Sequence, residues 1–213
     1  MKKRLLHFGL TATMGMTLVT ALQGCFPLAA TGVAGTAAVL MDRRPVGVTT
    51  IDRGLQLEVE SLIEKKYGES VHINVNVYNQ KVLLTGEART EQIKESINAD
   101  VKGNQNIKTL INEIQVGALS SASSRVSDAS IYSLIKGKLV ITSGVPSNSM
   151  KIVVEQGRVY FLGLATELEA KIASVLASQS SASVKEVNKY FDIITEAEKA
   201  QLEQKFLKES KAE

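Results

Sequence analysis

The chain has 213 residues, 25 Lys and Arg against 22 Asp and Glu, one cysteine, two histidines and no tryptophan. That length holds one medium domain or two small ones, and a single cysteine excludes an intramolecular disulfide. The formal charge of +3 gives no argument for nucleic acid. Lys2, Lys3 and Arg4 fall in a leader without acids, and the remainder is formally neutral with no Arg/Lys block.

Residues 1–24 begin basic, continue through a modest apolar stretch broken by Thr and Gly, and end in small residues. This is the pattern of a secretory signal rather than a membrane span. The ending Leu22-Gln23-Gly24-Cys25 resembles the bacterial lipobox, with Gln where Ala or Ser is commoner. Cys25 is the expected lipid-attachment site; the alternative is a structural cysteine that happens to follow a signal peptide. Acylation anchors a chain without a spanning helix. Phe26 stands where an Asp would mark inner-membrane retention, so the expected address is the outer membrane, lipid-anchored and facing the periplasm.

Residues 25–51 show no helical or strand period and read as a flexible tether, with a coil span of about 28 Å. Arg43 and Arg44 before Pro45 read as a solvated pair, or as a contact for lipid phosphates.

The rest of the chain is organised by a repeat. Residues 73–86 (INVNVYNQKVLLTG) and 150–163 (MKIVVEQGRVYFLG) align without a gap at an offset of 77, pairing Val75 with Ile152, Val77 with Val154, Leu84 with Phe161 and Gly86 with Gly163. Each copy alternates apolar and polar residues on both sides of a two-residue break, Asn79-Gln80 or Gln156-Gly157, which predicts a β-hairpin. Asp52 and Asp128 are expected to cap the helices that lead into the hairpins, over 55–67 and 128–142. Further helices are expected over 90–101 and 167–177, and closing strands over 107–116 and 184–194. The same offset holds in the closing strands, where Leu110 matches Val187 and Ile114 matches Phe191.

The expected fold class is α+β: two tandem small α/β sandwiches, each αββαβ with its helices on one face of a three-stranded sheet. They occupy 52–117 and 128–194, joined by a Ser-rich linker over 118–127 and followed by a charged, helical tail over 195–213. Domains of about 65 residues are marginal alone, so the two are expected to pack together.

Val75, Val77, Val82, Leu84, Gly86 and Asn112 in the first copy, and Ile152, Val154, Val159, Phe161 and Gly163 in the second, resemble the BON domain. Lys189 replaces the asparagine in the second copy. Two such domains behind a lipobox, with Asp-Arg-Arg-Pro-Val-Gly before the first, resemble the dual BON-domain outer-membrane lipoproteins. The resemblance covers residues 22–194 and leaves the tail out. It implies a non-catalytic envelope protein that binds anionic phospholipid, supports outer-membrane integrity and gathers at division sites.

The residues themselves offer little catalysis. His72 is the single histidine beyond the leader, at the mouth of a strand, where a solvated edge residue is the ordinary reading. No His/Cys spacing suggests a metal, and no glycine loop opens a helix to cradle phosphate. Neither cofactor nor nucleic-acid partner is expected, and the chain is expected to be monomeric. The second leading helix differs from the first in carrying Lys136 and Lys138 rather than a run of glutamates, beside two apolar lines, Ile131, Ile135 and Leu139 in one and Leu134 and Ile141 in the other. The second line either packs on the first repeat or meets lipid, and the resemblance favours lipid. Ser130, Ile131, Tyr132, Leu134, Lys136 and Lys138 are the expected lipid-binding residues. Ser130 stands where the resemblance places a membrane-inserting tryptophan. The rival reading is a protein-interaction adaptor for envelope assembly or cell-wall remodelling, docking through an exposed sheet or the first repeat.

Overall fold

The computed structural model describes residues 42–209; the expected leader, Cys25 and most of the expected tether lie outside them. The first helix, α1 (Val46–Tyr67), starts directly behind Pro45, whose fixed φ suits a helix start. Residues 46–51 are therefore helical and not tether, a correction of the expectation. Leu55, Val59 and Ile63, spaced i, i+4 and i+8, are its buried stripe.

β1 (Val71–Tyr78) and β2 (Lys81–Ala88) pair antiparallel, with Val75 opposite Leu84 and Val77 opposite Val82. Asn79 and Gln80 both take positive φ, 53° and 60°, as a two-residue turn matched to strand twist requires. Their N–H groups donate to the two carboxylate oxygens of Asp52, each at 2.7 Å. Asp52 thus lies well inside α1, 3% exposed, and caps the hairpin turn rather than the helix, the second correction. α2 (Glu91–Lys102) opens on Thr90, whose side chain accepts from the Ile93 N–H. β3 (Thr109–Asn112) then lies parallel to β2, and β4 (Gln115–Val116) extends the same pairing. The expected single strand is split where Asn112 Oδ1 turns back to accept from the Ile114 N–H at 3.1 Å.

The second repeat follows the same plan. α3 (Ala122–Ile141) opens on Ser121, whose side chain accepts from the Ser124 N–H, so residues 122–127 belong to a helix and not to the expected linker. Asp128, the other expected N-cap, is buried and accepts from the Gln156 and Gly157 N–H groups at 2.8 Å each. β5 (Met150–Glu155) and β6 (Arg158–Ala165) form the hairpin, α4 (Glu167–Ser178) starts with a Thr166/Glu169 capping box, and β7 (Glu186–Ile193) pairs parallel to β6. The core stripe Ile131, Ile135 and Leu139 matches Leu55, Val59 and Ile63 at an offset of 76, one less than in the hairpins. Gly86 and Gly163 are fixed by close approach. A Cβ at Gly86 would lie 1.9 Å from the His72 carbonyl oxygen, and one at Gly163 2.4 Å from that of Ser149.

In each repeat the helices cover one face of the sheet. The opposite faces pack on each other, where Tyr78 and Leu83 of the first repeat meet Val153, Tyr160 and Leu162 of the second. Polar bonds cross the same seam. Lys81 Nζ donates to Asp192 at 2.6 Å and to the Tyr190 carbonyl at 2.9 Å, and the Tyr190 hydroxyl donates to Glu113.

The residues before α1 strap the first repeat to the second. Arg43 is 4% exposed. Its backbone N–H donates to Ser149 Oγ at 3.2 Å, and its guanidinium grips both oxygens of Glu169, at 2.6 and 2.8 Å. Arg44 pairs with Asp42 at 2.6 Å and Asp52 at 2.8 Å, and lies 4.0 Å over the Tyr78 ring. This corrects the reading of Arg43 and Arg44 as solvated or lipid-facing: carboxylates already hold both guanidinium groups, and the Tyr78 ring lies against that of Arg44. A last helix, α5 (Glu196–Glu209), joins the strap through Lys199, 3.2 Å from Glu169, and Glu203, 3.6 Å from Arg43.

Candidate functional site

Once Asp128, Ile131, Ile135 and Leu139 face the core, helical spacing dictates what α3 shows to solvent. Val126, Ser130, Ser133, Leu134, Gly137, Val140 and Ile141 lie on its outer face, with no charge among them. Leu134 and Val140 are each 50% exposed and Ile141 is 83% exposed. The two serines add little polarity, since Ser130 Oγ donates to the Val126 carbonyl at 3.0 Å and Ser133 Oγ to that of Ala129 at 2.9 Å. Lys136 and Lys138 flank this strip on opposite sides. Lys136 Nζ donates to the Ser147 carbonyl at 2.7 Å, and Lys138 Nζ to that of Gln179 at 2.8 Å. Burial lowers the pKa of Lys136. Each ammonium keeps further N–H groups for an anion.

The expected lipid-binding set divides accordingly. Ser130 and Leu134 are on the outer face, and the two lysines border it. Ile131 is not available: at 2% exposure it belongs to the core stripe, which corrects that assignment. Tyr132 is 41% exposed but turns to the cleft beside α1 rather than to the outer face. Val126 precedes the expected helix start at 128, while Val140 and Ile141 lie inside the expected helix but outside the expected lipid-binding set; the register fixed by the buried Asp128 turns all three outward. The Val126, Ser130, Leu134 spacing was the available signal. On α4, packed beside α3, Leu168 and Val175 are also exposed. Of the eleven exposed large apolar side chains among the described residues, eight lie between 126 and 193. Most of the exposed apolar surface among the described residues therefore lies on the second repeat.

A cleft of about 1030 Å³ runs between α1 and β1 of the first repeat and α3 and β5 of the second, lined by Leu57, His72, Asn74, Asp128, Tyr132 and Glu155 among others. At its floor His72 Nδ1 lies 3.2 Å from Ser120 Oγ and 3.3 Å from Glu87 Oε2. Serine, imidazole and carboxylate are thus all present, but both partners sit on the same ring nitrogen. A proton relay needs the serine on one nitrogen and the acid on the other, so this cluster does not activate Ser120. Glu87 is instead held by the Ser120 N–H at 2.9 Å and by Gln156 Nε2 at 2.5 Å. Glu155 accepts from Asn74 Nδ2 at 2.6 Å. Burial raises the pKa of Glu155, the Asn74 hydrogen bond opposes this, and the nearby Glu87 adds to the rise.

The rival docking surface, an exposed sheet, is absent among the described residues, because the helix-free face of each sheet is turned to the other repeat. No helix among them is long and apolar enough to cross a membrane.

Comparison with known proteins gives a consistent set of likenesses. The BON domain family matches residues 51–118 and again 127–195. The outer membrane lipoprotein DolP of Haemophilus influenzae is 31% identical over 184 residues, covering 85% of this chain and 94% of its own. The 21 kDa hemolysin of Actinobacillus pleuropneumoniae is 31% identical over 156 residues, covering 72% of this chain and 78% of its own. Among solved structures, the C-terminal domain of CdsD, a structural protein of the type III secretion system of Chlamydia trachomatis, aligns over 66% of this chain and 98% of its own, at 13% identity and a TM-score of 0.28.

Proposed function

Because this chain belongs to the BON-domain family and is a dual-domain outer-membrane lipoprotein, we propose that it is a non-catalytic module that binds anionic phospholipid through the outer face of α3. Cys25 carries the acyl anchor. Covalent geometry limits the 17 residues from Cys25 to Asp42 to about 60 Å, and the strap then passes directly onto the second repeat, whose α3 presents the lipid-binding face. In this setting the protein supports outer-membrane integrity and gathers at division sites.

The observation that carries the reading is the uncharged outer strip of α3, with Leu134, Val140 and Ile141 half or more exposed and a lysine on either side. Interfacial helices combine these features. Burying the exposed parts of Leu134 and Ile141 supplies about 2–4 kcal/mol, against about 1 kcal/mol for each lysine near an anionic leaflet. The apolar strip dominates, and the lysines select the charge of the surface. Neither term alone holds a protein at a membrane, but the anchor supplies a high effective concentration.

The test is co-sedimentation of a leaderless Cys25→Ser chain with vesicles, with and without phosphatidylglycerol. Binding should require the anionic lipid, and fall by about tenfold or more in a Leu134→Asp/Ile141→Asp double variant. Equal binding by that variant would discard the α3 face. No binding to either vesicle at low salt would leave the adaptor reading, with the first repeat as the docking surface.

A further inference from the structure

His72, Glu87 and Glu155 are 83 residues apart at the extremes of the set, yet each offers a ligand atom within 4.8 Å of the others'. His72 and Glu87 face each other across the β1–β2 ladder. Glu155 ends β5 in the other repeat. Glu87 is 1% exposed and Glu155 4% exposed, so two carboxylates meet in the seam where each is almost out of water. Buried charges are ordinarily paired or bound to metal. Among the described residues no lysine or arginine forms an ion pair with either, although Asp192 in the seam and Glu169 under the strap have such partners. Asp128 offers no relief, being a third carboxylate whose oxygens are taken by the hairpin turn.

The hydrogen bonds present hold the carboxylates in position without neutralising them. Ser120 N–H and Gln156 Nε2 fix Glu87, and Asn74 Nδ2 fixes Glu155 through Oε2. Among the described residues the one hydrogen bond to Glu155 goes to Oε2, so Oε1 keeps its lone pairs for a ligand. His72, Asn74 and Glu155 line the cleft, which gives an ion a way in and room for bound water.

We infer that His72, Glu87 and Glu155 form a divalent-cation site of the zinc class that bridges the two repeats. One imidazole and two carboxylates are the ligand types of open zinc sites, with the remaining position left for water. Mg²⁺ and Ca²⁺ require more oxygens and do not favour an imidazole. Asn74, Gln156 and Ser120 act as the outer partners that orient the ligands. With ligands drawn from both repeats, an ion bound here fastens one sheet to the other, and its binding free energy becomes stability of the seam.

The experiment strips the detergent-extracted full chain with chelator and titrates it with ZnCl₂, MgCl₂ or CaCl₂. Calorimetry measures binding and thermal unfolding reads the seam. The inference expects one zinc ion per chain with a raised unfolding midpoint, no comparable effect of magnesium or calcium, and affinity weakened by about tenfold or more in Glu155→Gln. His72→Gln, where the side chain is 24% exposed, serves as a second variant should Glu155→Gln not fold. X-ray absorption of the loaded chain should show a single imidazole among oxygen ligands. Zinc binding unchanged in either variant, an absorption spectrum without imidazole, or no binding by the unsubstituted chain would overturn it.

Discussion

Asp52 and Asp128 show how one residue type serves two competing local structures. An aspartate ahead of an apolar helical stripe satisfies every requirement of an N-cap, yet both acids accept instead from the two N–H groups of a hairpin turn more than 25 residues away. The turn residues take positive φ, so their N–H groups converge on a single point, and a carboxylate with two oxygens fits it. Asp128→Ala would bury two unpaired donors. Its cost should be about 2–4 kcal/mol of unfolding free energy in urea titrations. Asp128→Asn should recover part of that, because the amide keeps one acceptor. A loss below about 0.5 kcal/mol would mean that the turn holds its shape without the acid.

The legible elements are those whose signal is local. Strand alternation and the two-residue breaks give both hairpins, and the shared offset of 77 gives the repeat, because period and turn chemistry are written within about ten residues. The leading helices were harder at their starts. Pro45 and Ser121 begin them, while the nearer aspartates carried a stronger cap signal, and the difference removed Val126 from view. The outer face of α3 was half legible for the same reason: Leu134 and the lysines follow from pattern, whereas excluding Ile131 needs the register that Asp128 imposes. The Arg43–Glu169 grip and the His72, Glu87, Glu155 cluster were not legible. Each joins residues from different repeats, and no spacing along one segment encodes them.

At the scale of the whole molecule, the strap and the back-to-back sheets make two marginal domains into one unit, as their size demands. Glu169 is central to this: it caps α4 through the Thr166 N–H, holds Arg43 and meets Lys199. Burial alone would raise its pKa, but the bonds from Arg43 and the Thr166 N–H outweigh that and leave it below the ordinary glutamate value. The unfolded chain therefore binds this proton more readily than the folded one. The stabilisation is complete above the ordinary glutamate pKa and is lost as pH falls through the lowered folded value. Urea midpoints should drop over that acidic range in the unsubstituted chain, and drop less in Arg43→Met/Glu169→Gln. Parallel pH profiles would remove the strap from the acid response.

The central claim is that α3 of the second repeat, not α1 of the first, enters the leaflet. The chain has no tryptophan, so a single one placed at Ile141→Trp or at Leu57→Trp reports its own surroundings. Both replace exposed apolar side chains, 83% and 49% exposed, one on the outer face of α3 and the other on α1. On phosphatidylglycerol vesicles containing brominated acyl chains, Ile141→Trp should shift to the blue and be quenched while Leu57→Trp keeps its aqueous emission. Unchanged emission at Ile141→Trp in vesicle-bound protein, or equal quenching at both positions, would contradict it.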